Sequence, residues 1–220
     1  MIDLRCGDCL EVMKQINTKD CIIVSDPPFN VGYKYNEYVD RMEEDLYYSF
    51  LSDVFSRCPS VVIHYPEKLY RLSFEMGIFP EKVVSWVYNS NTQKQHRDIA
   101  FFNIKPDFNL VRQAYKNLND KRIKERIARG CKGSKLYDWW NINQVKNVSK
   151  KNIDHPCVMP LKVMENIIGI LPKDKTILDP FMGSGTTGVA CKHLNRNFIG
   201  IELNEKYFQV AQDRINGELL

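Results

Sequence analysis

This sequence lacks the features of a membrane or secreted protein. No apolar run approaches the roughly 18 residues that span a bilayer, and the first residues do not form a secretory signal. The seven cysteines are odd in number and lack the spacing of a disulfide framework, which favours reduced thiols. Cys6 and Cys9 have no second pair and no nearby histidine, so we expect no metal site. These absences predict a cytoplasmic protein without a membrane partner.

Length and composition predict a single α/β domain. A chain of 220 residues, 44% hydrophobic and 26% charged, can bury one full core, whereas two complete domains would be cramped. Seven strand-like runs alternate with segments of helical periodicity, a pattern typical of a mostly parallel, doubly wound sheet. The runs cover residues 2–5, 21–24, 61–64, 83–87, 99–104, 176–178 and 198–201.

Positive charge is concentrated in the middle of the chain. The net charge is only +4, but residues 105–135 hold ten Lys or Arg against three acidic residues, a local excess of +7. The aromatic residues in and beside this segment are Tyr115, Tyr137, Trp139 and Trp140. Phosphate-seeking cations beside rings that stack on bases indicate nucleic-acid contact, although residues 121–129 alone also fit a solvated helix face. The predicted boundaries are a basic target-recognition insertion at residues 105–150 and one catalytic domain at residues 1–104 and 151–220.

A candidate binding or catalytic motif, the tetrapeptide Asp26-Pro27-Pro28-Phe29, follows the apolar run at residues 21–24. It combines a carboxylate, a carbonyl on a residue with no N–H and an aromatic face at the carboxyl end of a strand, where open α/β sheets bind ligands. Two acceptors and one ring suit a planar nitrogenous base that carries an amino group. The alternative is a plain turn that closes the strand.

A glycine-rich turn follows the run at residues 176–178 and precedes a helical pattern. Glycines let the backbone approach a ligand, and free N–H groups at a helix start favour a negative group such as a carboxylate. Glu202 ends the next strand, 23 residues after Asp179, where it can accept hydrogen bonds from both hydroxyls of a ribose. The predicted cofactor-binding residues here are Asp179, Pro180, Phe181, Gly183, Ser184, Gly185, Thr186, Thr187, Glu202 and Leu203.

The same glycines raise the alternative of a dehydrogenase, because Gly183, Gly185 and Gly188 satisfy the dinucleotide fingerprint G-x-G-x-x-G. Two features disfavour it. The segment Asp-Pro-Phe-Met separates the strand from the first glycine, where the dinucleotide motif turns at once. After the turn and its helix, only one strand and one further helix follow, which is too little for a complete nucleotide-binding half.

The two motifs resemble those of the β group of DNA amino-methyltransferases. Residues 26–29 match its D-P-P-[YF] signature, and residues 179–187 match its D-P-F-x-G-S-G-T-T cofactor loop. The base-binding motif precedes the cofactor loop, which is the permuted order of that group. The resemblance implies a Rossmann-like methyltransferase fold with a seven-stranded sheet, and S-adenosylmethionine as the cofactor.

Two further segments carry the resemblance. Residues 4–11 are similar to the L-x-x-G-D-C-L-E opening of the family, which implies that Asp8 contacts the adenine of the cofactor, with Cys9 beside it. His155 and Pro156 resemble the start of an H-P-x-x-x-P motif, which implies contact with the methionine part of the cofactor. Residues 157–159 depart from the family, because Cys-Val-Met replaces the usual Thr-Gln-Lys.

The resemblance implies direct transfer of a methyl group to an amine of a flipped base. Asp26 and Pro27 would accept the two amine hydrogens, Pro28 completes the motif and Phe29 would stack on the base. An Asp at the first position favours adenine N6 over cytosine N4. The alternatives are a cytosine-N4 or an RNA methyltransferase, or a catalytically silent DNA-binding subunit, which the departure at residues 157–159 leaves open.

The resemblance also implies a double-stranded DNA substrate. Lys34 follows the tetrapeptide on a predicted flap and Arg97 falls in a predicted polar loop at residues 89–98, so we expect both to contact DNA. The insertion is expected to supply the other contacts, which are Arg112, Lys116, Lys121, Arg122, Lys124, Arg126 and Lys132. A restriction endonuclease partner and a homodimer are further expectations, in a bacterium or in the host of a phage.

Overall fold

An eight-stranded sheet organises the protein. The structure is a computed structural model that describes residues 1–35, 38–90, 93–145 and 158–217. The strands of the main sheet are β1 (Ile2–Cys6), β2 (Cys21–Ser25), β5 (Ser60–His64), β6 (Lys82–Val87), β7 (His96–Phe102), β10 (Trp139–Asn141), β11 (Thr176–Asp179) and β12 (Phe198–Glu202). Two small two-stranded sheets pair β3 (Tyr33–Tyr35) with β4 (Tyr38–Asp40) and β8 (Arg112–Gln113) with β9 (Ser134–Lys135).

The strand order is β1-β12-β11-β2-β5-β7-β6-β10. Within the main sheet as described, β7 is antiparallel to its neighbours β5 and β6, and the other pairings are parallel. The parallel strands β1, β12, β11 and β2 therefore present their carboxyl ends at one edge. Strands that are close in this sheet come from opposite ends of the chain.

Helices cover both faces of the sheet. They are α1 (Cys9–Met13), α2 (Glu44–Phe55), α3 (Pro66–Met76), α4 (Lys121–Ala128), α5 (Leu161–Gly169), α6 (Thr186–His193) and α7 (Glu205–Asn216), with a one-turn 3-10 helix at Thr18–Asp20. Buried residues of α1, α2 and α3 form one core cluster, and those of α5, α6 and α7 form the other. No helix in the described ranges is long and apolar enough to cross a membrane.

The alternation of side chains along β2 explains why both faces are covered. Ile22 and Val24 belong to the cluster with α5, whereas Cys21 and Ile23 belong to the cluster with α2. All of these side chains are at most 3% exposed. An apolar run without polar alternation is the signature of a strand that is buried on both faces.

The α/β class and the doubly wound arrangement agree with the sequence prediction, but the strand count differs. The additional strand is β10, which pairs parallel to β6 inside the segment predicted as the insertion. Its central residue Trp140 is 3% exposed and packs in the core, and its Nε1 donates to the Tyr137 carbonyl at 2.7 Å. A three-residue strand in a highly charged segment is too short to show periodicity, so the sequence pattern missed it.

Helix boundaries follow local signals. Asn204 is the N-cap of α7, because its side chain accepts from the backbone N–H groups of Lys206 and Tyr207. Strand β7 begins at His96, so it takes over the end of the polar loop expected at residues 89–98. Asn195 and Gly217, both with positive φ, lie just after α6 and α7.

Gly188 gives a test of how α6 packs. A methyl group at this position would lie 2.7 Å from the Phe198 ring and closer still to Ile215 Cδ1. We expect Gly188→Ala to lower the free energy of unfolding by about 1–3 kcal/mol, because neither buried neighbour can withdraw. Urea unfolding measures this change. A midpoint equal to that of the wild-type protein would contradict the close packing of α6 on β12 and α7.

Candidate active site

Four neighbouring strands bring acidic side chains to one edge of the sheet. Asp8 follows β1, Asp26 follows β2, and Asp179 and Glu202 are the last residues of β11 and β12. Because these strands are adjacent and parallel, the two sequence motifs meet. The direct contact is a buried hydrogen bond from Ser25 Oγ to Asp179 Oδ1, 2.5 Å long, between residues 154 positions apart.

Asp179 is enclosed by donors from this protein. Its side chain is 1% exposed and accepts from Ser25 Oγ, from Thr187 Oγ1 at 2.5 Å and from the Phe181 N–H at 3.1 Å. Burial raises the pKa of Asp179 to about 6, although these hydrogen bonds act in the opposite direction. The carboxylate therefore ties β2, the glycine turn and α6 together instead of facing a ligand.

Glu202 holds the glycine turn from the other side. Its two carboxylate oxygens accept from the N–H groups of Gly183 and Asn204, each at 2.9 Å. Burial raises its pKa. Each carboxylate oxygen retains a second lone pair for a ligand. Leu203, 59% exposed, supplies an apolar side chain at the same strand end.

The ends of β1 and β12 are also joined. The Gly7 N–H donates to the Glu202 carbonyl at 2.9 Å, and Asp8 then caps α1 by accepting from the Glu11 N–H at 3.1 Å. Asp8 is exposed, so its second oxygen is accessible at the edge of the sheet. Cys9 is buried in α1, and burial raises the pKa of its thiol to about 12, which makes it a packing residue.

The glycine turn has the backbone form that a close ligand approach requires. Gly183 and Gly185 have φ of 52° and 78°, in the left-handed region that favours glycine. Arg214 of α7 donates to the Ser184 carbonyl, to Ser184 Oγ at 2.8 Å and to Thr186 Oγ1 at 3.3 Å. These hydrogen bonds from α7 hold the turn in place. The first N–H groups of α6 have no partner within the helix and can bind a ligand.

Asp26 stands in a cleft next to this region. Its side chain is 24% exposed, and the cleft is lined by Asp26, Trp86, Arg97, Met159 and Pro160 among others. Burial raises the pKa of Asp26 to about 7, the Arg97 guanidinium lowers it and the Asp179 carboxylate raises it further. A carboxyl group in this range is matched to proton transfer at neutral pH.

The tetrapeptide is supported by two residues that the sequence pattern did not indicate. Burial lowers the pKa of His64 to about 3, so its ring is neutral, and its Nδ1 accepts from the Tyr65 N–H at 2.8 Å. The proton therefore lies on Nε2, which donates to Tyr47 Oη at 2.9 Å, and the Tyr47 hydroxyl donates to the Pro28 carbonyl at 2.6 Å. The His64 ring also stacks on Phe29, with centroids 4.4 Å apart.

Comparison with known proteins identifies the family of this chain. A family model described as DNA methylase, covering N6 and N4 methyltransferases, matches residues 21–213. The chain belongs to this DNA methylase family. Membership confirms the predicted family, the methyltransferase fold and S-adenosylmethionine as the cofactor, and it makes DNA the substrate.

The alignments with individual relatives cover most of this chain. Type II methyltransferase M.HpaI from Haemophilus parainfluenzae is 27% identical over 243 residues, covering 98% of this chain and 74% of M.HpaI. DNA adenine methyltransferase YhdJ from Escherichia coli (strain K12) is 26% identical over 244 residues, covering 96% and 81%. The solved structure of PvuII DNA methyltransferase (cytosine-N4-specific) has a TM-score of 0.69 at 16% identity, covering 97% and 86%.

The remaining predicted site residues are either buried, outside the described residues or on a different element from the one expected. Pro180 and Pro27 are buried beneath the edge. His155 and Pro156 lie outside the described residues, as does the side chain of Lys34. Arg97 lies on β7 instead of a loop, 13% exposed, with its guanidinium carbon 4.6 Å from the Phe29 ring centroid.

The predicted DNA-contacting cations of residues 105–150 are exposed. Helix α4 has no buried residue, and Asp120 caps it while pairing with Arg122 at 3.3 Å. Lys116 Nζ lies 5.2 Å from the centroid of the Trp139 ring, which is half exposed. The exposed cations that were predicted here are Arg112, Lys116, Lys121, Arg122, Lys124, Arg126 and Lys132.

The support of the tetrapeptide can be tested with Tyr47→Phe. Without the hydroxyl, His64 Nε2 and the Pro28 carbonyl lose a buried partner, and we expect the free energy of unfolding to fall by about 1–3 kcal/mol. The matched control is Tyr70→Phe on α3, whose side chain is 72% exposed and should change stability little. Equal unfolding midpoints for the two variants would contradict the proposed hydrogen-bond chain.

Proposed function

We propose that this chain transfers the methyl group of S-adenosylmethionine directly to N6 of adenine in double-stranded DNA. The observation that carries the proposal is the joining of the Asp26–Phe29 corner to the Gly183–Glu202 corner through Ser25 and Asp179. Asp at the first position of the tetrapeptide supports adenine as the target. The name of the relative YhdJ, a DNA adenine methyltransferase, supports the same choice.

The residues at the edge fit the cofactor by their chemistry. Asp8 and Glu202 have unused acceptor positions for the adenine amine and the ribose hydroxyls, and the exposed Leu203 offers an apolar face to the adenine ring. The first N–H groups of α6 suit the carboxylate of the methionine part. When bound, S-adenosylmethionine supplies a methyl group on a positively charged sulfur. His155 and Pro156 are proposed to contact its methionine part.

Asp26 and Pro27 would activate the target amine. An exocyclic amine is a poor nucleophile because its lone pair is delocalised into the ring, and two acceptors for its hydrogens localise that pair. Within the described residues no donor reaches the Pro27 carbonyl, whereas the Pro28 carbonyl is engaged by Tyr47. Asp26 then takes the proton that the methylated nitrogen must lose.

Phe29 would hold the flipped base. Stacking of a base on an aromatic side chain contributes about 1–3 kcal/mol, which offsets part of the free energy of extruding that base from the duplex. The His64 ring stacks on Phe29 and the Arg97 guanidinium lies 4.6 Å from the Phe29 centroid, so both residues hold the ring in position before DNA binds. Pre-positioning of this kind lets the amine meet the methyl group in one geometry.

Nucleoside analysis tests the proposal. Duplex DNA is incubated with the protein and S-adenosylmethionine that is labelled in its methyl group, digested and examined by mass spectrometry. We expect the label in N6-methyladenine, and we expect Asp26→Ala to reduce the transfer rate about 100-fold or more while cofactor binding, measured by calorimetry, is retained.

Other outcomes identify the alternatives. Label in N4-methylcytosine, or transfer to RNA alone, would contradict the adenine assignment. Cofactor binding without any transfer, or no cofactor binding at all, would indicate the silent DNA-binding subunit. Equal loss of binding and transfer in Asp26→Ala would show that Asp26 is structural.

A setting in restriction–modification is part of the proposal. M.HpaI and M.BglII, which the chain resembles, are named Type II methyltransferases, which supports a bacterial or phage enzyme with a cognate endonuclease. The recognition region is small, and a homodimer would double the DNA surface that is read. The insertion, which includes Arg112, and Lys34 are proposed to contact the DNA.

The insertion can be tested through the salt dependence of DNA binding. We expect the double variant Lys121→Gln/Lys124→Gln to reduce the slope of log K against log salt by about 2, because each lost phosphate contact removes about 0.9. The matched control is Lys19→Gln/Lys173→Gln, two exposed lysines near the amino ends of β2 and β11, at the opposite edge of the sheet. A slope unchanged in the first variant would remove α4 from the interface.

A further inference from the structure

Arg97 is a cation buried beside the reactive carboxylate. It lies on β7, its side chain is 13% exposed, and its Nη1 is 4.0 Å from Asp26 Oδ2. Its Nε is buried without a hydrogen-bond partner among the described residues. The rigid fork of donors of an arginine suits close, bidentate pairing with a carboxylate, and Arg97 does not pair in this way with Asp26.

Aromatic rings hold the guanidinium in place. Its carbon lies 4.6 Å from the ring centroid of Phe29, 5.5 Å from that of Trp86 and 5.8 Å from that of Tyr65. Cation–π attraction fixes the charge without neutralising it. Two further contacts are Met159 Sδ, a weak acceptor 3.6 Å from Nη1, and the Tyr88 hydroxyl, whose pKa burial raises and the guanidinium lowers.

The distance between Arg97 and Asp26 is informative. At 4.0 Å the two charges attract, but the separation is too long for a hydrogen bond. The carboxylate is therefore stabilised as an anion while its acceptor positions toward Arg97 stay unused. A closer arginine would occupy the oxygens that the amine of the target base requires.

We propose that Arg97 is a positioning residue of the methyl-transfer site: its guanidinium, held by the aromatic rings, favours the charged form of Asp26 and leaves the carboxylate oxygens free for the target amine. The role in transfer rests on the proposed function, whereas the effect on Asp26 belongs to the free protein. Arg97 thereby has a different task from the phosphate contact that its sequence position suggested.

The other charged and titratable groups around Asp26 make this cation necessary. Asp179 on β11 is a second carboxylate whose charge opposes ionisation of Asp26, and burial acts in the same direction. His64 on β5, with its strongly lowered pKa, stays neutral and adds no positive charge. Arg97 on β7 is the group that lowers the pKa of Asp26 from across the cleft.

Carboxyl NMR of the free protein tests the proposal without substrate or cofactor. The ¹³C signal of the Asp26 carboxyl, assigned with Asp26→Asn, is titrated in wild type, Arg97→Met and Arg97→Lys. We expect the titration midpoint to rise by about one pH unit or more in Arg97→Met, which removes the charge and keeps an unbranched side chain, and to stay near wild type in Arg97→Lys. Arg71→Met, at an exposed guanidinium on α3, is the control and should leave the midpoint unchanged.

Single-turnover methylation measures the consequence. Below the midpoint Asp26 is protonated, so the acid limb of the rate profile should move to higher pH in Arg97→Met. On that limb the variant should be about tenfold slower than wild type for each pH unit by which its midpoint rises. An unchanged Asp26 midpoint in Arg97→Met would overturn the proposal.

A reduced salt slope of DNA binding in Arg97→Met would also overturn it, because that result would mark Arg97 as a phosphate contact. The NMR titration does not depend on which base is methylated. Failure of the adenine assignment therefore remains distinguishable from failure of the role of Arg97.

Discussion

A single buried carboxylate joins the two halves of this site. Asp179 receives Ser25 from the strand that carries the base-binding tetrapeptide, and Phe181 and Thr187 from the turn and helix that carry the cofactor loop. Since a buried carboxylate is stable only when it is fully hydrogen-bonded, its three donors must stay in place together. In the proposed function, the distance between the target amine and the methyl donor therefore depends on Asp179, whose carboxylate is enclosed by donors of the protein itself.

The acidic side chains around Asp179 differ in their burial and in the charges beside them, and their proposed roles differ accordingly. Glu202 and Asp8 keep unused acceptor positions at the ends of β12 and β1, where a nucleoside can be bound. Asp26 lies deeper, where burial moves its pKa toward neutrality and the Arg97 guanidinium, 4.0 Å away, moderates that rise. The proposed roles of these carboxylates, as a clamp, as cofactor ligands and as a proton acceptor, differ because burial and neighbouring charge differ at each strand end.

The tetrapeptide, the glycine turn and Glu202 could be predicted from the sequence, because each is a local pattern at the end of an apolar run. The network of Tyr47 and His64 was not, since a tyrosine in α2 and a histidine that closes β5 carry no local sign of their contact with Pro28. Arg97 was assigned to a loop because polar residues precede it. Its true environment arises only when β7 inserts antiparallel between β5 and β6.

The amino-acid sequence by itself determined the class of fold, the family, the cofactor and the identity of the acidic side chains, because periodicity and short motifs are encoded within a few consecutive residues. It did not determine that Asp179 is a clamp, that Trp140 adds a strand or that Arg97 faces Asp26. Tertiary structure alone decided these points, since they depend on which strands become neighbours and on how completely each charge is removed from water.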